Sequence, residues 1–267
     1  MTTQTMLRIV WMTIMVTGSL NTARAETITL YAAGSLKTAL GEVLTEYKQQ
    51  HGVAINRQFG PSGMLREAIE SGDNVDIFIS ANMAHPKTLA FHGWGDAVRL
   101  FTKNQLCALA QPGVELNTDN FLEKLLSKKI RLGTSTPISD PSGDYAWELF
   151  HQAEKSHPSS FQILDNKAQQ LTGGPTSLKA PKNHNQYAWV MQQNKVDVFL
   201  TYCTNALLAQ KELTELQIIQ LPKNLSVGAE YGLIIRQNAP EAATKLAMYL
   251  LGPEGQSILH RHGFTAD

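Results

Sequence analysis

Cysteine is scarce in this sequence: Cys107 and Cys203 are the only two among 267 residues, which leaves a single disulfide or two buried thiols as the choices. An excess of either charge is missing too, since 23 basic residues balance 23 acidic ones. The basic residues form no cluster, which argues against nucleic acid or an anionic membrane surface as partner. Beyond residue 25 no unbroken apolar run reaches the roughly 18 residues that a spanning helix needs. There is no repeat of fixed period and no low-complexity stretch. The eight histidines show neither HExxH nor paired-ligand helix spacing, and His260-Arg261-His262 reads as a solvated helix end. Gly60-Pro61-Ser62-Gly63-Met64 lacks the last glycine of a nucleophile elbow. Asp144 beside Tyr145 suggests a general base, but an acid in a helix's first turn usually complements the dipole. No cofactor and no metal are expected, and a secreted enzyme using a serine or Asp144 stands only as the rival reading.

What is present begins with a leader. Arg8 precedes an apolar run over residues 9–16, and Ala23-Arg24-Ala25 is a small-x-small signal, so residues 1–25 read as a secretory signal peptide cut after Ala25. No cysteine stands at the cleavage point, and no lipid anchor is expected. The remaining 242 residues hold 21 basic and 23 acidic side chains, enough chain for one large or two medium domains with real cores.

The rest is organised around Leu30-Tyr31-Ala32-Ala33-Gly34-Ser35-Leu36, an apolar strand that runs into small residues, a serine and a helix. A serine there can turn its hydroxyl, with the free N–H groups of the first helical turn, toward one anion. The pattern returns at Val53 to Phe59, followed by Gly60-Pro61-Ser62-Gly63 and a second helix. Leu36, Ala39, Leu40, Val43, Leu44 and Tyr47 make a one-sided helical stripe, as do Met64, Leu65, Ala68 and Ile69. Two such turns from parallel neighbours would face one crevice. The plainer reading makes both serines N-caps worth about 1 kcal/mol each.

Strand and helix alternate to about residue 100, which predicts βαβ units and a mostly parallel sheet. Residues 98–110 then read as one long or two abutting strands with no crossover helix between them. A second run follows, with helix 118–127, strand 130–134, helix 145–153, strand 161–164, helix 187–193 and strand 196–202, then strands 216–221 and 229–235 and helices 239–251 and 254–262. The expected layout is one α/β lobe, residues 26–103 with 229–267, interrupted by another, residues 104–228, and joined to it by two crossing strands, as in a hinged binding protein.

In the second lobe, Pro137-Ile138-Ser139-Asp140-Pro141-Ser142-Gly143-Asp144 repeats the Pro-Ser-Gly signature before a helix. Loop Leu171-Thr172-Gly173-Gly174-Pro175-Thr176-Ser177 is either a flexible rim or an ordinary turn. His184 and Asn185 precede a helix they can cap, and the Tyr202 hydroxyl either reaches a ligand or is packed. A Cys107–Cys203 bond would tie the first crossing strand to the loop after Tyr202.

Tyr31-Ala32-Ala33-Gly34-Ser35-Leu36, Asp76-Ile77-Phe78-Ile79-Ser80-Ala81, Leu251-Gly252-Pro253-Glu254-Gly255-Gln256 and His262-Gly263-Phe264-Thr265 together resemble the periplasmic molybdate-binding proteins of ABC transporters. That resemblance implies a type II periplasmic-binding-protein fold with a molybdate or tungstate oxyanion between two lobes, held through its oxygens. It implies Ser35 and Ser62, with Gly34 and Gly63 beside them, as first-lobe ligands, a backbone N–H from Ser142, the Tyr202 hydroxyl, and a further backbone ligand at His184 or Asn185. A periplasmic monomer that delivers to an inner-membrane permease is the expected context. The residues around Asp140, Leu171 and Tyr202 are not the usual family sequences and mark a divergent branch, for which sulfate or phosphate is the alternative ligand.

Overall fold

The computed structural model describes residues 27–265, so the expected leader and its cleavage point lie outside the described residues. In chain order the elements are β1 (Thr27–Ala33), a 3-10 turn (Gly34–Leu36), α1 (Lys37–His51), β2 (Ala54–Gly60), α2 (Ser62–Glu70), β3 (Ile77–Ser80), α3 (Ala84–Phe91), β4 (Arg99–Ala110), α4 (Phe121–Leu126), β5 (Leu132–Ser135), α5 (Pro141–Ser156), α6 (Ser160–Lys167), β6 (Ala168–Thr172), α7 (Gln186–Gln192), β7 (Val198–Tyr202), α8 (Cys203–Glu212), β8 (Gln217–Gln220), a 3-10 turn (Lys223–Leu225), β9 (Gly228–Ile235), α9 (Glu241–Leu251) and α10 (Pro253–Arg261). The stripe read in α1 is its buried face, and Gly52 ends that helix in the left-handed region at φ 68°.

The nine strands form one mixed sheet in the order β2-β1-β3-β9-β4-β7-β5-β6, with β8 paired to β4 off this path. The expectation of a mostly parallel sheet in each lobe, joined by crossing strands, is thereby revised to one mixed sheet that runs continuously through β4. β1 is parallel to β2 and β3, and β5 to β6 and β7, but β9 runs antiparallel to both β3 and β4. The cause is the length of β4. It is a single strand of 12 residues, long enough to pair with β9 over its first part and with β7 and β8 from Leu106 and Cys107 onward. We call the strands on the β9 side of this switch the first half of the sheet and the others the second half.

Helices cover both faces of both halves. On one face of the first half, α1, α9 and α10 pack on β1, β3 and β9, while α2 and α3 enclose Phe78 and Ile234 on the other. In the second half, α5 and α6 pack over Leu132, Val198 and Leu200, and α7 and α8 over Leu109 and Phe199. Tyr202, at the end of β7, packs into the core of the first half, and Tyr145 of α5 touches the cores of both halves. Asp76, just before β3, accepts the Thr29 N–H at 2.9 Å and pairs with Arg236 at 2.7 Å, which fixes β1, β3 and the end of β9 to one another.

Residues 161–164, read as a strand, lie inside α6. Their apolar side chains fit either period, and the structure is decided by Glu154, whose carboxylate accepts the N–H groups of Ser159 and Phe161 at 2.9 Å each and so starts a helix. The missing strand is β6, which takes in Leu171 and Thr172 of the stretch read as a rim. Cys107 and Cys203 form a disulfide with Cα atoms 4.8 Å apart, joining β4 to the first turn of α8.

Candidate functional site

Each of the three serines follows a strand, and none spends its hydroxyl on its own helix. Ser35 lies in the 3-10 turn after β1 and Ser62 opens α2, and neither helix start has a side-chain cap bond, so the plain N-cap reading does not describe them. Ser35 Oγ lies 2.8 Å from the Tyr231 hydroxyl. Ser62 Oγ accepts the Ala81 N–H at 3.0 Å, and the Tyr202 hydroxyl donates to the Ala81 carbonyl at 3.4 Å. Ser62 of the first half and Tyr202 of the second thus hold opposite sides of one residue.

Around these atoms the structure gathers residues that sequence reasoning missed. Asn104 of β4 donates through Nδ2 to the Tyr231 hydroxyl at 3.3 Å and to Thr204 Oγ1 at 2.8 Å. The Tyr202 ring lies 6.2 Å from that of Tyr145 and 5.8 Å from that of Tyr231, centroid to centroid. Burial pushes the hydroxyls of Tyr145, Tyr202 and Tyr231 well above the usual phenol range, so all three stay protonated donors at any physiological pH. A cavity of about 510 Å³, lined among others by Met83, Gln105 and Glu230, reaches this cluster at Asn104 and Tyr145. Tyr231 carried the same signal as Tyr202, a large ring with a polar tip in an apolar strand, but only Tyr202 stood at a strand end.

Ser142 is fully buried at the start of α5 and its environment differs. Its hydroxyl donates to Ser135 Oγ at 2.7 Å, which lies 2.8 Å from Thr172 Oγ1. Its N–H, the donor the resemblance assigns to a ligand, is held by the Asp140 carboxylate at 3.1 Å. Asp140 stands before Pro141, the signal of an N-cap that reading this helix from 145 passed over. Asp144 turns to the preceding loop and accepts the Ile138 N–H at 2.7 Å.

The two halves meet at Gly63, whose N–H donates to the Ser139 carbonyl at 2.9 Å. A side chain at Gly63 would collide with the Ile138 carbonyl oxygen, and Ile138 itself has φ 70°. The Gly63 N–H is therefore engaged rather than free. Gly34 is exposed and lies against Gly60. His184 and Asn185 are not joined to the cluster. The His184 ring pairs with Glu212 at 2.9 Å, and the Asn185 side chain accepts the N–H groups of Tyr187 and Ala188 at the start of α7, so Asn185 does act as the cap it was read to be.

The site is thus a meeting of serine and tyrosine hydroxyls, an asparagine amide and helix starts, and Lys103, paired with Glu230 at 3.8 Å, lines the cavity that reaches it. Such a set can donate hydrogen bonds to a ligand whose atoms accept them. Residues 28–265 match the family described as bacterial extracellular solute-binding protein. The chain belongs to this family. Its function is therefore solute binding and not catalysis. An uncharacterized protein of Pasteurella multocida is 36% identical over 186 residues, 69% of this chain and 77% of that protein. Among solved structures, the substrate-binding domain of a candidate molybdenum ABC transporter from Clostridium difficile is 23% identical, with TM-score 0.62 over 90% of this chain and 99% of that one. The sulfate-binding protein SubI of Mycobacterium tuberculosis is 17% identical, with TM-score 0.72 over 90% of this chain and 87% of that one. These likenesses give the family member an α/β fold of the periplasmic-binding-protein kind.

Proposed function

We propose that this solute-binding protein captures a tetrahedral oxyanion, molybdate or tungstate, between two lobes and delivers it to the inner-membrane permease of an ABC transporter. The lobes are residues 26–103 with 229–267 and residues 104–228, and β4 and β9 cross between them. The observation that carries the reading is the convergence of the Ser35, Ser62 and Tyr202 hydroxyls, from both halves of the sheet, on the one small region around Ala81 and Tyr231. Neutral donors suit an anion whose oxygens only accept. The hydroxyls that now bond one another would turn to the ligand, which enters as a free anion and calls for no resident metal or cofactor. The contact of Gly63 with Ser139 reads as the closed form. Export to the periplasm, cleavage after Ala25 and a monomeric state belong to the same proposal. Sulfate is the second reading, favoured by the likeness to a sulfate-binding protein, and it differs from molybdate mainly in size.

Thermal denaturation with molybdate, tungstate, sulfate and phosphate tests it. A specific ligand at a thousandfold excess over Kd stabilises by about 4 kcal/mol. We expect the largest shift with molybdate and tungstate. A larger shift with sulfate transfers the proposal to that anion, and no shift with any of the four overturns it.

A further inference from the structure

The donors gathered at the site are neutral, yet a carboxyl stands at its edge: Asp140 follows Ser139, whose carbonyl accepts the Gly63 N–H at 2.9 Å next to Ser62. Asp140 caps α5 through the Ser142 N–H, within reach of the Ser135 and Ser142 hydroxyls. On its other side Gly173, with φ 77°, lies so close that a side chain there would collide with the Asp140 Cβ and carboxylate. The titratable groups that interact electrostatically with it are Asp144 on its own helix, Tyr187 of α7, Tyr202 of β7 and Tyr231 of β9. None of these is a cation. The carboxylate therefore occupies the position of an anion: it takes the donor that the resemblance gives to the ligand and repels a second negative charge.

We propose that Asp140 is a specificity-determining residue of this site, and that a proton-free oxyanion binds together with one proton, taken from solvent onto the Asp140 carboxyl. The inference rests on the oxyanion reading above. The balance is one carboxylate, one proton and one dianion giving a neutral carboxyl beside the bound dianion. The protonated carboxyl no longer repels the ligand, relaxes its claim on the Ser142 N–H, and can donate its own O–H to an anion oxygen. An anion that already carries a proton, such as hydrogen phosphate, brings that proton itself and donates it to Asp140. Burial, partly opposed by the Ser142 N–H and the neighbouring hydroxyls, pushes the Asp140 carboxyl up to about 6, so the proton is taken up from solutions near neutrality. The group is raised, not lowered: it is neutral below that point and charged above it. Affinity for a proton-free anion is then full in mild acid and falls as pH rises.

Calorimetric titration of the full-length mature protein with micromolar molybdate, and separately with inorganic phosphate, tests this from pH 6.5 to 8.5. Asp140→Asn keeps the cap, since asparagine accepts the same N–H, and removes the charge. In the wild type, molybdate affinity is expected to fall about tenfold per pH unit, while phosphate affinity, referred to the hydrogen phosphate species present at each pH, changes by less than about threefold. In Asp140→Asn, molybdate affinity is expected to lose its pH dependence and to exceed the wild-type value at pH 8.5, while Asp144→Asn keeps the wild-type slope. Molybdate binding that is flat with pH in the wild type, or equally steep in Asp140→Asn, overturns the inference and leaves the oxyanion reading standing. Absence of heat with both anions in every variant overturns both.

Discussion

The serine turns of the two halves share a sequence pattern and differ in what they are bonded to. Ser35 and Ser62 bond within the first half, to Tyr231 and to Ala81, and Ala81 is also held by Tyr202 of the second half. Ser142 is closed in on itself, with Ser135, Thr172 and Asp140 supplied by its own half. The serines of the first half sit where the second half makes contact, and the serine of the second half sits in a polar network of its own half. The same Pro-Ser-Gly signature thus gives a contact surface in one place and an internal brace in another, because the residue before it differs: Gly60-Pro61 leaves the turn without an acceptor, and Asp140-Pro141 provides one.

The comparison breaks most severely if the disulfide that ties β4 to α8 is removed. Converting both cysteines to serine, or reducing the bond, opens a loop with a sequence separation of 96, and chain entropy alone sets the loss at about 4 kcal/mol. For a chain of this size that is a fall of about 10 °C in Tm, read by calorimetry with and without reductant. A change of less than about 2 °C would show that the second half is held by packing alone.

Next in size is the contact between the halves. Gly63→Ala places a methyl group against the Ile138 carbonyl oxygen, which backbone packing does not yield to. We expect ligand affinity to fall by about a hundredfold or more while the ligand-free protein loses less than about 1 kcal/mol, because the halves can part where one side of a packed core cannot. Equal losses in the free protein and in binding would mean that the contact is part of a fixed core. The smallest effect separates the tyrosines. Tyr231→Phe removes a hydroxyl within reach of both Ser35 and Asn104 and should cost about 1–2 kcal/mol in urea unfolding. Tyr202→Phe gives up only the long contact of 3.4 Å to Ala81 and should cost less than about 1 kcal/mol, with its main effect on binding.

Much of this was legible in the sequence. The stripe of α1, the turns at Ser35 and Ser62 and the continuous strand around Cys107 follow from periodicity and turn chemistry, both of which are local. What was missed depends on distance along the chain. Tyr231 becomes part of the site only because β9 returns beside β4 and β3, and nothing in residues 229–235 announces which face meets Ser35. The fate of residues 161–164 was decided by Glu154, outside the window in which their apolar pattern is read. The cap at Asp140 was missed because that helix was read from 145, although an aspartate before Pro141 carries the signal of a helix start. His184 and Asn185 carried the signals of a helix start; the structure uses Asn185 for that, while His184 pairs with Glu212.

The pairing of β3 with β9 has a consequence for how the chain is made. A polypeptide emerges amino end first, and β1, β2 and β3 can assemble as soon as they are available, leaving one edge of β3 open. Its partner follows only after about 150 more residues, a closure of the kind that slows folding. Until Leu233, Ile234 and Ile235 arrive opposite Ile79, Phe78 and Ile77, the nascent sheet has an unpaired hydrophobic border, the surface through which growing chains pair with one another. Shortening the carboxyl end before β9 would make that passing state permanent, so truncated forms of this chain belong with insoluble products rather than with smaller binding proteins.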